Sequence, residues 1–212
     1  VEGLDDITVG GLARGRLFLI EGSPGTGKTT IATQFLNAGA AAGERTLYIT
    51  LSETEDELRA GAASHGWSLQ GVDIFELVPP ESLLDEDQQQ SLLYSSDLEL
   101  GETTRRIFQA FEKVKPSRVV LDSLSEIRLL AQSSLRYRRQ ILALKHYFAR
   151  SGATVVMLDD LSSEANDRTM HSVAHGVIRL EELSPEYGAE RRRLRVLKYR
   201  GQRYRGGFHD FI

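Results

Sequence analysis

Eight consecutive residues carry the types and the spacing needed to bind a polyphosphate. Residues 22–29 read Gly-Ser-Pro-Gly-Thr-Gly-Lys-Thr and match the pattern G-x-x-x-x-G-K-[ST]. The glycines let the backbone turn tightly, so that successive N–H groups point inward at phosphate oxygens. Lys28 can reach the outer phosphates, and the hydroxyl of Thr29 is a ligand for Mg²⁺. We therefore predict a site for ATP and Mg²⁺. The expected nucleotide contacts are Gly22, Ser23, Pro24, Gly25, Thr26, Gly27, Lys28, Thr29 and Thr30.

An acidic residue elsewhere in the chain could provide a second ligand for the metal. Asp122 directly follows the apolar run Val-Val-Leu at 119–121, which predicts a short buried strand. In phosphoryl transfer, a carboxylate at the end of a neighbouring strand commonly holds Mg²⁺. A carboxylate at a buried strand end also needs a partner, and a cation provides one. We predict that Thr29 and Asp122 hold the metal. The alternative is that Asp122 caps the turn that begins at Asp-Ser.

A further carboxylate is needed to orient or deprotonate the water that attacks the terminal phosphate. Glu53 follows the predicted strand at 46–51, and the carboxyl ends of strands open onto the crevice of such sheets. It could equally be the polar start of a helix, where glutamate is favoured by the helix dipole. Glu126, four residues beyond Asp122, is the second candidate. The residues alone leave both open.

The elements that position these groups alternate along the chain. Apolar runs and helical stretches take turns, which predicts an α/β fold with a central, mainly parallel sheet flanked by helices. Pro79 and Pro80 end one strand, and the polar, acidic stretch 81–99 predicts a loop. The predicted strands are 16–21, 46–51, 72–78, 118–122, 154–158, 173–180 and 193–199. The predicted helices are 28–42, 55–65, 103–115 and 134–150.

Composition narrows the class of protein. The 212 residues, 41% of them hydrophobic, suit a single domain spanning 1–212. There is no cysteine, which excludes disulfides and thiolate metal sites and fits a cytoplasmic location. The net charge of −4 disfavours a protein devoted to nucleic acid. No apolar run approaches the roughly 20 residues of a membrane span. The first residue is Val1, so we expect a processed chain or a domain of a longer, tandem-domain protein.

Several segments resemble one family. They are Gly-Gly-Leu at 10–12, Gly-Arg-Leu-Phe-Leu-Ile-Glu-Gly at 15–22, Tyr-Ile-Thr-Leu-Ser-Glu-Thr at 48–54, Gly-Trp at 66–67, Pro-Ser-Arg-Val-Val-Leu-Asp-Ser at 116–123, and 191–201, which ends in Lys-Tyr-Arg-Gly. Together they resemble the KaiC branch of the RecA superfamily of ATPases. The phosphate loop is shared by many activities, whereas the closing Lys-x-Arg-Gly is particular to this branch.

The resemblance implies a RecA-like core with a C-terminal β-hairpin, assembled as a homo-oligomeric ring, typically a hexamer, with ATP at the subunit interfaces. It implies that Glu53 is the catalytic base and that Lys198 and Arg200 reach the γ-phosphate held by a neighbouring subunit, as an arginine finger does. The sequence departs from the family at one position: the family often has two adjacent glutamates here, and this chain has Ser52 in place of the first. If that first glutamate is the base in the family, hydrolysis by this chain would be slow or would rely on Glu53 alone.

The resemblance leaves several activities open. The leading one is an ATPase that couples nucleotide state to ring assembly or to a signalling protein partner. The alternatives are a RecA- or RadA-like DNA-binding ATPase, an autokinase that phosphorylates its own Ser or Thr, and a nucleotide-binding subunit without turnover. The resemblance also suggests that the polar segment 162–172 is a loop facing the ring pore.

Overall fold

The computed structural model describes residue 1 and residues 3–77, 92–161, 169–184 and 187–211, with the backbone alone for 92–99. The strands are β1 (Leu17–Gly22), β2 (Thr46–Thr50), β3 (Val72–Glu76), β4 (Arg118–Asp122), β5 (Thr154–Asp160), β6 (Gly176–Leu183), β7 (Arg191–Tyr199) and β8 (His209–Phe211). The helices are α1 (Leu4–Ile7), α2 (Lys28–Ala41), α3 (Glu55–Ser64), α4 (Leu92–Val114), α5 (Leu124–Ala131), α6 (Ser134–Ser151) and α7 (Thr169–Val173).

These strands form one sheet in the order β3-β2-β4-β5-β1-β6-β7-β8. Strands β1 to β6 are mutually parallel, and β7 and β8 add antiparallel to one edge. The predicted fold class is confirmed: a mainly parallel sheet flanked by helices, with an antiparallel hairpin at the C-terminal end. The parallel order brings the carboxyl ends of β1, β2, β4 and β5 to one edge, which we call the carboxyl edge.

Helices cover both faces of the sheet because the side chains of each strand alternate between them. Leu17 and Leu19 of β1 pack in one core with Ile107 of α4. Phe18 and Ile20 point the other way and pack with residues of α2. Both sets are almost completely buried. Because both faces of the sheet are covered, the strands are continuous apolar runs in the sequence. Their well-packed ends hold the loops that follow in place.

The loop predicted at 81–99 is wrong for its second part, because α4 begins at Leu92. Residues 81–91 lie outside the described residues. Within α4, Leu100, Ile107 and Phe111 are all buried, so one stripe of the helix packs on the sheet. The acidic composition near the start of this segment concealed that stripe.

The strand predicted at 173–180 begins later, at Gly176, because Thr169–Val173 forms α7. Met170 and Val173, three residues apart, are both buried, as one helical turn requires. The pore loop predicted at 162–172 is therefore helical from Thr169 on, and 162–168 lie outside the described residues. Short elements α1, α5 and β8 had no counterpart in the sequence prediction. Each helix in the described part of the chain is too short or too polar to span a bilayer.

Candidate functional site

The phosphate loop joins β1 to α2 at the carboxyl edge, as its sequence predicts. Gly22 has no room for a side chain, because a Cβ there would lie 2.6 Å from Oγ1 of Thr26 and 2.8 Å from the carbonyl oxygen of Leu180. Gly25 and Gly27 have φ values of 83° and 95°, which L-residues rarely adopt. The glycine spacing is thus required by the path of the backbone itself.

The start of α2 is well suited to an anion. Its N-cap, Gly27, provides no side-chain hydrogen bond, and the first turn contains no acidic residue. The amides of a helix N-terminus carry partial positive charge and favour phosphate groups. Beside Gly25 there is open space, since nothing lies within 4 Å of the position a Cβ would take. This donor set and this space fit the phosphates of a nucleotide.

Lys28 lies inside the loop and is 9% exposed. Its Nζ donates to the carbonyl oxygens of Gly22 and Ser23, both at 2.9 Å. It also lies 2.8 Å from Oδ1 of Asp160, the last residue of β5. The ammonium has three donors, and all three are directed at oxygen atoms of this chain.

Asp122 ends β4 beside the loop, where the sequence places a metal ligand. Its Oδ2 accepts a hydrogen bond from the hydroxyl of Tyr48 at 2.6 Å and lies 3.5 Å from Oγ1 of Thr29. Burial raises the pKa of Asp122, and the hydrogen bond from Tyr48 partly opposes that shift. Thr29 and Asp122 therefore present two hard oxygen donors side by side, the kind of ligand that Mg²⁺ prefers.

Glu53 lies close to the same carboxylate because β2 and β4 end together: Thr50 pairs with Asp122. The hydroxyl of Thr50 accepts a hydrogen bond from the backbone N–H of Glu53 at 3.0 Å and donates to its carbonyl oxygen at 2.8 Å. Burial raises the pKa of Glu53, and the charges of Asp122 and Glu57 raise it further. A carboxylate with a raised pKa is a better proton acceptor near neutral pH.

Glu126 lies on α5 and is half-buried. Burial raises the pKa of its carboxyl group, and the charge of Asp160 adds to that shift. Glu53 thus lies near Asp122, and Glu126 lies near Asp160. The geometry keeps Glu53 and Glu126 as alternatives.

The sequence prediction missed Asp159 and Asp160. The predicted strand stopped at residue 158, whereas β5 continues to Asp160, which pairs with Gly22. Asp159 is buried and forms an ion pair with Arg128 at 2.5 Å. The signal was available, since two aspartates directly follow an apolar run just as Asp122 does.

A buried carboxylate directly before the loop was also missed. Glu21 accepts a hydrogen bond from Nε of Arg179 at 2.8 Å, and its Oε2 lies 2.7 Å from Nε2 of His171. These partners come from β6 and α7, so only the folded chain brings them to β1. They satisfy the carboxylate and tie α7 to the strand that carries the phosphate loop.

Lys198 and Arg200 lie at the opposite edge of the sheet, which we call the amino edge. Tyr199 pairs with Gly176, and Gly176 pairs with Phe18 near the start of β1. Four residues of β1 therefore separate this position from Gly22, or about 13 Å at the rise of a parallel strand. The two cations are remote from the phosphate loop of their own chain.

Both side chains contact the end of α7. Nζ of Lys198 donates to the carbonyl oxygens of His171 and, at 2.7 Å, of Ala174. Nη2 of Arg200 donates to the carbonyl oxygen of Ser172 at 2.8 Å. Both cations therefore contact the same short segment, although Arg200 follows the last residue of β7 and the strand alternation expected from the sequence does not extend to it.

Comparisons with known proteins match the whole chain to a single family. A family model described as "ATPase: KaiC" matches residues 1–212. The circadian clock oscillator protein KaiC of Thermostichus vulcanus is 31% identical over 217 residues, which cover 100% of this chain and 41% of that protein. The protein of the same name from Prochlorococcus marinus is 32% identical over 217 residues, covering 100% and 42%. The circadian clock protein KaiC2 of Synechocystis sp. is 29% identical over 222 residues, covering 100% and 37%. The chain thus spans about two fifths of the length of these relatives.

Proposed function

Because the chain belongs to the KaiC family of ATPases, we propose that it binds ATP with Mg²⁺ at residues 22–30 and hydrolyses it at the interfaces of a homo-oligomeric ring, a hexamer as the family resemblance implies. The observation that carries this proposal is the convergence of Lys28, Thr29, Asp122 and Glu53 at one edge of the sheet. Nucleotide state would then be coupled to ring assembly or to a signalling protein partner. The proposed compartment is the cytoplasm, which fits a chain without cysteine.

Residues of this chain would divide the work as follows. The amides at the start of α2 and the ammonium of Lys28 hold the phosphates. Thr29 and Asp122 hold Mg²⁺, which when bound neutralises phosphate charge. Glu53 accepts a proton from water as the water oxygen bonds to the γ-phosphorus. The bond from the γ-phosphorus to the bridging oxygen breaks, and ADP leaves with that electron pair.

Ser52 does not provide a second carboxylate at the strand end. It is exposed, and its backbone N–H lies 3.4 Å from the hydroxyl of Thr50. Proton transfer would therefore rest on Glu53, with Glu126 as the residue to test against it.

Charge complementarity supports head-to-tail assembly. Lys198, Arg200, Arg16 and Lys145 all lower the pKa of His175, after its burial, so that these cations surround one point of the amino edge. The carboxyl edge holds the acidic groups described above. Opposite charges at opposite ends of one sheet favour a heterologous contact, in which the cations of one copy approach the site of the next.

The test is to measure the mass of the particle by light scattering, with and without Mg-ATP, alongside phosphate release. We expect a ring whose formation is promoted by Mg-ATP and whose turnover per chain falls on dilution to monomers. A monomer that turns over ATP at a rate independent of concentration would refute the interface site.

A further inference from the structure

The carboxylate of Asp160 forms an ion pair with Lys28 and would compete with the phosphates of ATP for its ammonium group. Asp160 ends β5, and its backbone pairs with Gly22, the first residue of the loop. Its side chain is 40% exposed, whereas that of Lys28 is 9% exposed. The carboxylate therefore reaches a nearly buried ammonium from the solvent-accessible side of the loop.

Asp160 also belongs to a cluster of carboxyl groups with Asp122 and Glu126. Burial raises the pKa of both Asp122 and Glu126, and the charge of Asp160 adds to each shift, so the three carboxyl groups lie near one another. Three carboxylates thus share the site with the ammonium of Lys28. An incoming polyphosphate adds several negative charges, and the repulsion between like charges in a partly desolvated site is large.

We propose that Asp160 makes the phosphate site selective for the magnesium complex of ATP over metal-free ATP. This inference rests on the proposed function. Metal-free ATP must displace the carboxylate of Asp160 from Lys28 without a cation to offset the negative charge of the neighbouring carboxylates. A divalent cation held by Thr29 and Asp122 offsets that charge, so Asp160 can leave Lys28 at a smaller cost. Asp160 is thus a specificity-determining residue and takes no part in proton transfer.

The experiment is a titration with ATP by calorimetry, once with excess Mg²⁺ and once with EDTA. We expect the wild-type chain to bind Mg-ATP far more tightly than metal-free ATP. In Asp160→Asn, the affinity for metal-free ATP should rise about tenfold, while the affinity for Mg-ATP changes less than about threefold. Asp160→Ser removes the same charge with a different shape and should give the same ratio. Asp73→Asn, an exposed aspartate on the edge strand β3, is the matched control and should behave as wild type.

The outcomes separate the inference from the proposed function. If the wild type binds Mg-ATP but both Asp160 variants keep its ratio of affinities within about twofold, the role of Asp160 is refuted and the proposed function stands. If the folded wild type binds neither form of ATP, the proposed function itself is refuted. A loss of Mg-ATP binding in both variants would show that Asp160 supports the bound state and would also overturn the inference.

Discussion

The hydroxyl of Tyr48 donates a hydrogen bond of 2.6 Å to Asp122 in the interior of the sheet edge. Burial and the neighbouring charge of Asp122 raise the pKa of Tyr48 well above its ordinary value, so the phenol stays protonated and acts as a donor. The hydroxyls of Tyr48 and Thr29 and the charge of Lys28 oppose the rise in the pKa of Asp122, but burial, together with the charge of Asp160, outweighs them. A negative charge on Asp122 therefore costs stability, which a functional site can tolerate.

Asp122→Asn should stabilise the metal-free protein near neutral pH. Burial raises the pKa of Asp122 above 3.8, so the folded state binds the proton more tightly than the unfolded state does. The charge therefore opposes folding, and it does so increasingly as pH rises through that raised pKa. We expect the free energy of unfolding to increase by about 1 kcal/mol or more, measured by urea denaturation with EDTA.

The same variant provides its own check on the metal. Added Mg²⁺ with ATP should stabilise the wild type and stabilise Asp122→Asn much less, because one of the two proposed ligands has lost its charge. An Asp122→Asn protein that is less stable than wild type with EDTA would contradict the account of this carboxylate.

Glu53→Gln should bind Mg-ATP as wild type does and lower turnover by about 10²-fold or more, because it removes the proposed proton acceptor without changing the size of the side chain. Glu126→Gln is the matched variant and should keep turnover within about threefold. Phosphate release under saturating ATP measures both. The reverse pattern would transfer the role of base to Glu126, and full activity in both would leave neither as the base.

Mixing two inactive variants should restore activity if Lys198 and Arg200 act on a neighbouring copy. Lys28→Ala inactivates the phosphate loop but keeps Arg200, and Arg200→Ala does the opposite. In a mixed ring, some sites combine an intact loop with an intact cation, and we expect up to about a quarter of wild-type turnover at equal mixing.

The control for this mixture uses two lesions at the same edge of the sheet. Lys28→Ala mixed with Glu53→Gln creates no intact site, so it should show no rescue. The cations of one chain lie about 13 Å along the sheet from its own loop, which is why we expect them to act on a neighbouring subunit. Absence of rescue in the mixture of Lys28→Ala with Arg200→Ala would count against that action.

The features that could be predicted from the sequence are those determined by residues close together in the chain. Residues 22–29 run from the last residue of β1 into the first turn of α2, and their glycines permit the tight turn between the two elements. The carboxyl edge followed from the parallel direction of the strands, and Asp122 and Glu53 both lie at that edge, with Asp122 next to Thr29. Such features need only the identity of the strands and their direction.

What was missed depends on strand length or on distant partners. Asp160 was overlooked because the apolar run ends at Leu158 although the backbone pairing continues for two residues. The group formed by Glu21, His171 and Arg179 joins residues about 150 positions apart, and no local pattern connects them. Helix α4 was cut short because an acidic composition outweighed the apolar stripe.

Binding of ATP by the loop around Lys28 underlies every proposal above, and calorimetric titration of the wild type and of Lys28→Ala with Mg-ATP measures it. We predict saturable binding by the wild type with one nucleotide per chain, and at least about a hundredfold weaker binding by folded Lys28→Ala, because the ammonium is the cation inside the loop. If folded wild-type protein shows no affinity for Mg-ATP, or if the two proteins bind it equally well, the loop around Lys28 is not a nucleotide site.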